Sequence, residues 1–398
     1  MERRDFLKLS ALASASAYIP NVMSASNPFL QQAASAGKAV VVIQLSGGND
    51  GLNMIVPYRN DIYYKVRPRL AVGKNEVIRL TDEVGLNPKM TKLQSLYDRG
   101  MVSIINGVGY PDPNKSHFRS MEIWHTASDS NQVLQTGWIG RFLDEQCNTC
   151  AFPYTAIELD DAMSMVMRGE VKSGLASTDP KKLVELTKHP FFQHIVKASD
   201  EHHHHHPQVE FLRETLVQTS SSIDYLAEKQ AKGTNNELYD SKLGKQLKTA
   251  ARLINGGSET KLYYLRHGSF DTHANQRGGH DRLLEQLSNG IGTFMSDIQK
   301  GGRSEDVMVM VFSEFGRRVK QNGAGGTDHG KANNVLLIGK GVKNAGIYNK
   351  MSSLTDLDDG DLKYHVDFRS VYKTVLENWL HVPSEGILKK DFTDLGIL

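Results

Sequence analysis

The stretch "KAVVVIQLSGGNDGLN", residues 38–53, decides how the fold is read. Its apolar run, Ala39 to Leu45, is interrupted only by Gln44 and stops at Ser46-Gly47-Gly48. A strand with one wet face alternates apolar and polar residues. A near-continuous apolar run predicts a strand buried on both faces, as in parallel sheets covered by helices. Similar runs recur at "MVSIING" (101–107), "YTAIEL" (154–159), "KLYYLRHG" (261–268), "VMVMVFS" (307–313) and "NVLLIG" (334–339).

Helical patterns lie between several of these runs. In "DRLLEQLSNGIGTFMSDIQKG", Leu283, Leu284, Leu287, Ile291, Phe294, Met295 and Ile298 share one helical face, and Gly301-Gly302 ends the helix. "VDFRSVYKTVLENWL" predicts a second helix with Asp367 as its N-cap. The alternation implies an α/β fold: a doubly wound, mostly parallel sheet with helices on both faces. Residues 160–258 are richer in polar helical segments and are expected to form a helical insertion at the edge of the sheet.

With 47 basic and 45 acidic residues among 398, the formal net charge of +2 gives no electrostatic case for nucleic acid or an anionic membrane. The first 36 residues read as a leader, which leaves residues 37–398 as one large domain with its insertion. Arg3-Arg4 before Asp5-Phe6-Leu7-Lys8 resembles a twin-arginine export signal, with Glu2 where Ser or Thr is usual. Leu9 to Met23 is Ala- and Ser-rich, short of the ~20 strongly apolar residues a spanning helix needs. A cut after Ala34-Ser35-Ala36, or at Ser24 to Ser26, would release a periplasmic or secreted protein without a stable membrane anchor. The expected partners are therefore the twin-arginine export machinery and an ester substrate. Cys147 and Cys150 read as a short-loop disulfide or two idle thiols, and His202 to His206 as a polar loop.

Ligands of open α/β sheets sit beyond the carboxyl ends of the strands. The polar residues found there are Asp50, then Arg266, His267, Asp271 and His273, then Ser313 and Glu314, and finally the adjacent Asp328 and His329. Asp and His without Cys suit a borderline divalent ion, zinc or manganese. Each residue alone also serves as a turn or cap, and Asp271 by itself is more often the former.

"QLSGGNDGLN", "FDTHANQ", "SEFGRR" and "GGTDHGKAN", in this order behind an export signal, resemble the secreted family labelled domain of unknown function 1501, which is similar in fold to the alkaline phosphatase and sulfatase superfamily. The resemblance implies one or two metal ions, zinc first and manganese or calcium as alternatives. It implies ligands at Asp50, at Asp271 and His273, and at Asp328 and His329, with His365 or Asp367 as a late addition. Two features depart from the superfamily pattern: the Asp-x-His spacing of the middle pair, and the long "GRRVKQNGAGGT" before Asp328.

A nucleophile in such proteins opens the helix after the second strand, and Ser116 holds that place, with N-cap as its alternative role. His117 reads as a proton shuttle or a packed residue. Arg317 reads as a catalytic clamp on a phosphate or sulfate or as the partner of a carboxylate, and Glu314 as an outer partner of the metal or of Arg317. Together these imply an exported metal-dependent hydrolase of phosphate or sulfate esters. The alternative is a secreted binding protein that keeps the fold without catalysis. Replacing Arg3 and Arg4 together by Lys is expected to leave a longer precursor in the cytoplasm; normal export of that variant, seen by fractionation, would remove the twin-arginine reading.

Overall fold

The computed structural model describes residues 37–146, 152–190 and 207–398. The leader, Cys147 and Cys150, and His202 to His206 lie outside the described residues. The six apolar runs all become strands of one nine-stranded sheet. In chain order its strands are β1 (Ala39–Leu45), β2 (Val102–Gly109), β3 (Ala156–Glu158), β4 (Leu175–Ala176), β5 (Leu262–His267), β6 (Val307–Phe312), β7 (Asn333–Ile338), β8 (Gly346–Ile347) and β9 (Val366–Asp367). They stand in the order β8-β2-β7-β6-β1-β5-β3-β4, with β9 also paired to β2. Only β7 runs antiparallel to its neighbours, β2 and β6.

β1 lies in the middle, parallel to both β5 and β6. All seven of its residues are buried, as its apolar run predicts. Val41, Ile43 and Leu45 face one layer of helices, α1 (Thr91–Asp98), and, further along the chain, Lys242–Asn255 and Gln276–Lys300. Val40 and Val42 face the other, built from α2 (His117–Thr126), α3 (Trp138–Gln146) and, near the C-terminus, Phe368–Thr374. The three later helices are α4 (Lys242–Asn255), α5 (Gln276–Lys300) and α6 (Phe368–Thr374). α5 ends at Gly301, and the Asp367 carboxylate caps α6 by accepting from Arg369 N at 2.9 Å, both as the sequence predicts. Within 160–258 the sheet gains its edge strand β4, and α4 buries an apolar face against the core.

α2 is pinned to the sheet from within. Trp124 is stacked between Phe312 at the end of β6 (4.5 Å between centroids) and Phe368 (4.3 Å). Its Nε1 donates to the Glu314 carbonyl at 2.9 Å, and Ser120 Oγ, one turn earlier, donates to the same oxygen at 2.6 Å. Those two bonds fix the register of α2 against the loop after β6, so the first turn of the helix has no choice of neighbour. Trp124→Ala should remove the stack and one bond and cost about 3–5 kcal/mol, measured by denaturant unfolding; Trp124→Phe should cost clearly less because the stack survives.

Candidate metal centre

Three loops meet beyond the carboxyl ends of β1, β5 and β6. The first turns at Gly47 and Gly48, whose φ angles of +118° and +71° suit glycine. A side chain on Gly47 would place its Cβ 2.4 Å from the Asp271 nitrogen, so the two loops touch backbone to backbone. The third loop, Gly316 to Lys331, folds back on itself. Gly316 N bonds to Lys331 O, Gly330 N to Gly316 O and Arg318 N to Asp328 O, at 3.1, 2.8 and 3.0 Å. This return delivers Asp328 and His329 beside Arg317 and answers why the stretch after β6 is long.

Arg317 ties the three loops together. Its buried guanidinium donates to the carbonyls of Gly47, Gly48 (2.6 Å), Phe270 (3.0 Å) and Thr327 (2.7 Å), and to Asp271 Oδ1 at 2.7 Å. The sequence reading as a clamp on a substrate anion meets a correction here, because its donors are engaged inside the protein. Arg317 is the partner of a carboxylate. Burial raises the Asp271 carboxyl, but the Arg317 bond and charge outweigh it and hold it down at about 2.

Three imidazoles surround Asp271. His329 Nδ1 donates to the Lys115 carbonyl at 2.8 Å, and since a carbonyl only accepts, the ring proton sits on Nδ1 and Nε2 carries a lone pair. His273 faces a carboxylate through each ring nitrogen, Asp328 from Nδ1 at 3.3 Å and Asp271 from Nε2 at 3.0 Å, so its proton has an acceptor on either side. His117 Nδ1 donates to Glu314 Oε1 at 3.0 Å, and its Nε2, enclosed and without a hydrogen-bond partner, lies 3.4 Å from Asp271 Oδ2. The bond to Glu314 is the main reason the His117 pKa is raised, against a smaller lowering by burial.

The outcome is a convergence of ring nitrogens on one carboxylate. His273 Nε2 and His329 Nε2 are 3.0 Å apart, and they lie 3.0 and 3.2 Å from Asp271 Oδ1. With its proton on Nε2, His273 donates to His329 Nε2; with the proton on Nδ1, two lone pairs face each other and repel unless a cation enters between them. Among the described residues, His117, Asp271 and His329 form the one group of three whose ligand atoms all lie within 4.8 Å of one another. Each ring nitrogen turned away from the centre is held by a carboxylate or a carbonyl, the outer arrangement that orients imidazole ligands. The donor set fits a divalent ion, and its imidazoles favour zinc or manganese over the all-oxygen preference of calcium.

The sequence-expected residues divide. Asp271, His273, Asp328 and His329 come together, with Asp328 placed behind His273 and held by Asn322 at 3.1 Å. Asp50 is buried elsewhere in the same loop system, bonded to Arg67 at 2.6 Å. His365 is exposed and bonds through its backbone to Gly107 in β2, with no place among the grouped ligands, and Asp367 is engaged as the cap of α6 and the partner of Arg369. Ser116 occupies the N-cap position of α2, exposed and with no side-chain capping bond. Its neighbours on both sides, Lys115 through its carbonyl and His117 through its ring, belong to the centre. Sequence reasoning weighed His117 and Glu314 only as accessories and missed Arg67 altogether. A helix-opening His directly before an apolar stretch was the available signal for the first; "KVRPRL" offers none for the last.

A mostly parallel α/β sheet with an Asp-His centre beyond its strand ends is the class of protein the fold and site define. A family model described as a protein of unknown function, DUF1501, matches residues 106–385, and the chain belongs to that family. No curated protein matches it in sequence. Among solved structures it is similar to the lipoteichoic acid synthase LtaP from Listeria monocytogenes, at 8% identity and a TM-score of 0.42 over 97% of this chain and 81% of that one. It is also similar to a protein in the alkaline phosphatase superfamily from Vibrio parahaemolyticus, at 11% and 0.41 over 99% and 80%, and to the PsFucS1 sulfatase from Pseudoalteromonas sp., at 12% and 0.37 over 90% and 73%.

Gly47→Ala should lower the melting temperature and displace Asp271, because positive φ and a backbone clash act together; a cost of about 1–3 kcal/mol is expected. An unchanged thermal unfolding curve would show that the two loops do not depend on their close approach.

Proposed function

We propose that this protein is an exported metal-dependent hydrolase of phosphate or sulfate esters. The observation that supports it most is the meeting of the three imidazole Nε2 atoms and the Asp271 carboxylate beside the N-terminus of α2, where Ser116 presents an uncommitted hydroxyl. His117, Asp271 and His329 would hold the ion, with His273 beside them. When bound, such an ion polarises an ester oxygen and lowers the pKa of a nearby hydroxyl.

The protein's own groups supply the rest. The first turn of α2 has N–H groups without intrahelical partners, and with the helix dipole they favour an anionic group there. Ser116 Oγ attacks phosphorus or sulfur as it gives up its proton to water, the bond to the ester oxygen breaks, and that oxygen leaves as the alcohol with the proton that water passes on. Water then hydrolyses the serine ester and restores the hydroxyl. Arg317 keeps Asp271 ionised and aimed, while Glu314 keeps His117 turned inward. Among the described residues no helix is long and apolar enough to cross a membrane, which is compatible with a protein released after export.

The engaged guanidinium of Arg317 favours the second reading, a secreted binding protein, since it withdraws the side chain best suited to an anionic ester. One experiment separates the two. Zinc at about a hundred times its dissociation constant should stabilise the protein by about 2.7 kcal/mol, an effect that Asp271→Asn abolishes. The zinc-loaded protein should hydrolyse at least one of an aryl phosphate, a phosphodiester and an aryl sulfate, and Ser116→Ala should lose at least about a thousandfold in kcat while still binding zinc. Zinc binding without hydrolysis of any ester would favour the binding protein, and an ester hydrolysed equally by Ser116→Ala would move the nucleophile to water.

A further inference from the structure

The resemblance to metal-dependent hydrolases places a ligand at Asp50, and the atoms around Asp50 do not fit that role. We infer that Arg67 is a protein-borne cation that takes the place of an ion at Asp50, so that the centre holds one metal per chain; this rests on the metal-dependent reading above.

Asp50 is 1% exposed and the Arg67 side chain 0%. Asp50 Oδ2 accepts from Arg67 Nη1 at 2.6 Å and from Gln276 Nε2. Arg67 has no freedom to swing away. Its Nη1 also donates to Asn53 Oδ1 at 3.0 Å, its Nε to the Val319 carbonyl at 2.8 Å and its Nη2 to the Arg318 carbonyl at 2.9 Å. The pair is therefore a buried, electrically neutral unit. A dication added beside it would meet the guanidinium across one carboxylate and leave buried charge uncompensated.

Company is missing as well. Asp50 Oδ1 has no hydrogen-bond partner, but among the described residues no group of three His, Cys, Asp or Glu ligand atoms includes Asp50. The one imidazole whose charge bears on Asp50, His280, donates from Nε2 to Asn49 Oδ1 at 2.9 Å and is held neutral by burial, its pKa lowered to about 4, while its buried Nδ1 has no hydrogen-bond partner. One carboxylate oxygen and one imidazole nitrogen fall short of the three protein ligands that such an ion takes.

What Asp50 does instead is position. Gln276, held by Asp50 through Nε2, accepts from Thr327 Oγ1 at 2.6 Å through its Oε1, and the Thr327 carbonyl accepts from Arg317 Nη1 at 2.7 Å. Arg317 in turn holds Asp271. A hydrogen-bonded chain thus runs from the buried ion pair to the carboxylate of the metal centre, and Asp50 acts through Gln276 without touching the ion.

The test is a zinc count on the full exported chain, stripped with chelator, reloaded with zinc, separated from free metal and analysed by mass spectrometry. The wild-type protein and Asp50→Asn should each carry one zinc, and Asp271→Asn should carry none. Zinc affinity in Asp50→Asn should fall by no more than about 100-fold, since a positioning residue loosens the site without removing a ligand. X-ray absorption of the wild-type zinc protein needs no variant to fold and should show a shell with at least two imidazoles. Two zincs per chain in the wild type, falling to one in Asp50→Asn, would overturn this inference and leave the hydrolase reading standing. A single zinc lost in Asp50→Asn but kept in Asp271→Asn, or a shell with one imidazole, would overturn it too. No zinc in the wild type would remove both readings together.

Discussion

Four backbone carbonyls from three separate loops point at one spot, and a carboxylate points there with them. In water each would be solvated; the carbonyls, drawn together inside the fold, are a concentration of unpaired acceptors that only a multivalent donor can satisfy. Arg317 is that donor. Its planar fork reaches Gly48 from Nε, Thr327 from Nη1 and Gly47, Phe270 and Asp271 from Nη2. A lysine would offer three donors from a single point and could not reach the same set. The architecture around the centre, including the close approach of Gly47 to the Asp271 backbone, depends on that one guanidinium.

A second buried charge does complementary work. Glu314 is fully buried; its carboxylate accepts from Gly47 N at 2.8 Å and from His117, while its carbonyl accepts from Ser120 and Trp124. One residue therefore sets both the register of α2 and the direction of the imidazole at its start. Sheet, helix and loop are joined there by hydrogen bonds whose partners leave little slack, and this is how a centre assembled from loops acquires defined geometry.

Much of the fold was legible in advance. Runs such as Ala39 to Leu45 and Val307 to Phe312 are apolar at consecutive positions, and only a strand covered on both faces can bury every residue of such a run. The helix from Gln276 to Lys300 was legible from its 3.6-residue stripe and its glycine stop. Of the centre, Asp271, His273, Asp328 and His329 were legible because they follow strand ends, where this class of sheet places ligands. The roles were less legible than the places. Arg317 looks the same in sequence whether it clamps a substrate or ties loops together, since the difference lies in which acceptors surround it.

What the sequence by itself determined is the set of buried strands, the helices that cover them and the pool of Asp and His residues at one edge of the sheet. Each of these follows from local periodicity or from position relative to a strand end, which are properties of neighbours along the chain. The tertiary structure alone decided the pairings. Asp50 and Arg67 are 17 residues apart, Glu314 and His117 are 197 apart, and His273 and His329 are 56 apart. No local pattern marks such partners, because a hydrogen bond acts over about 3 Å and depends on where the fold brings two side chains. For the same reason Asp50 and Asp271, both acids placed just past buried strands, have different surroundings: one is closed against a guanidinium, the other open among imidazoles.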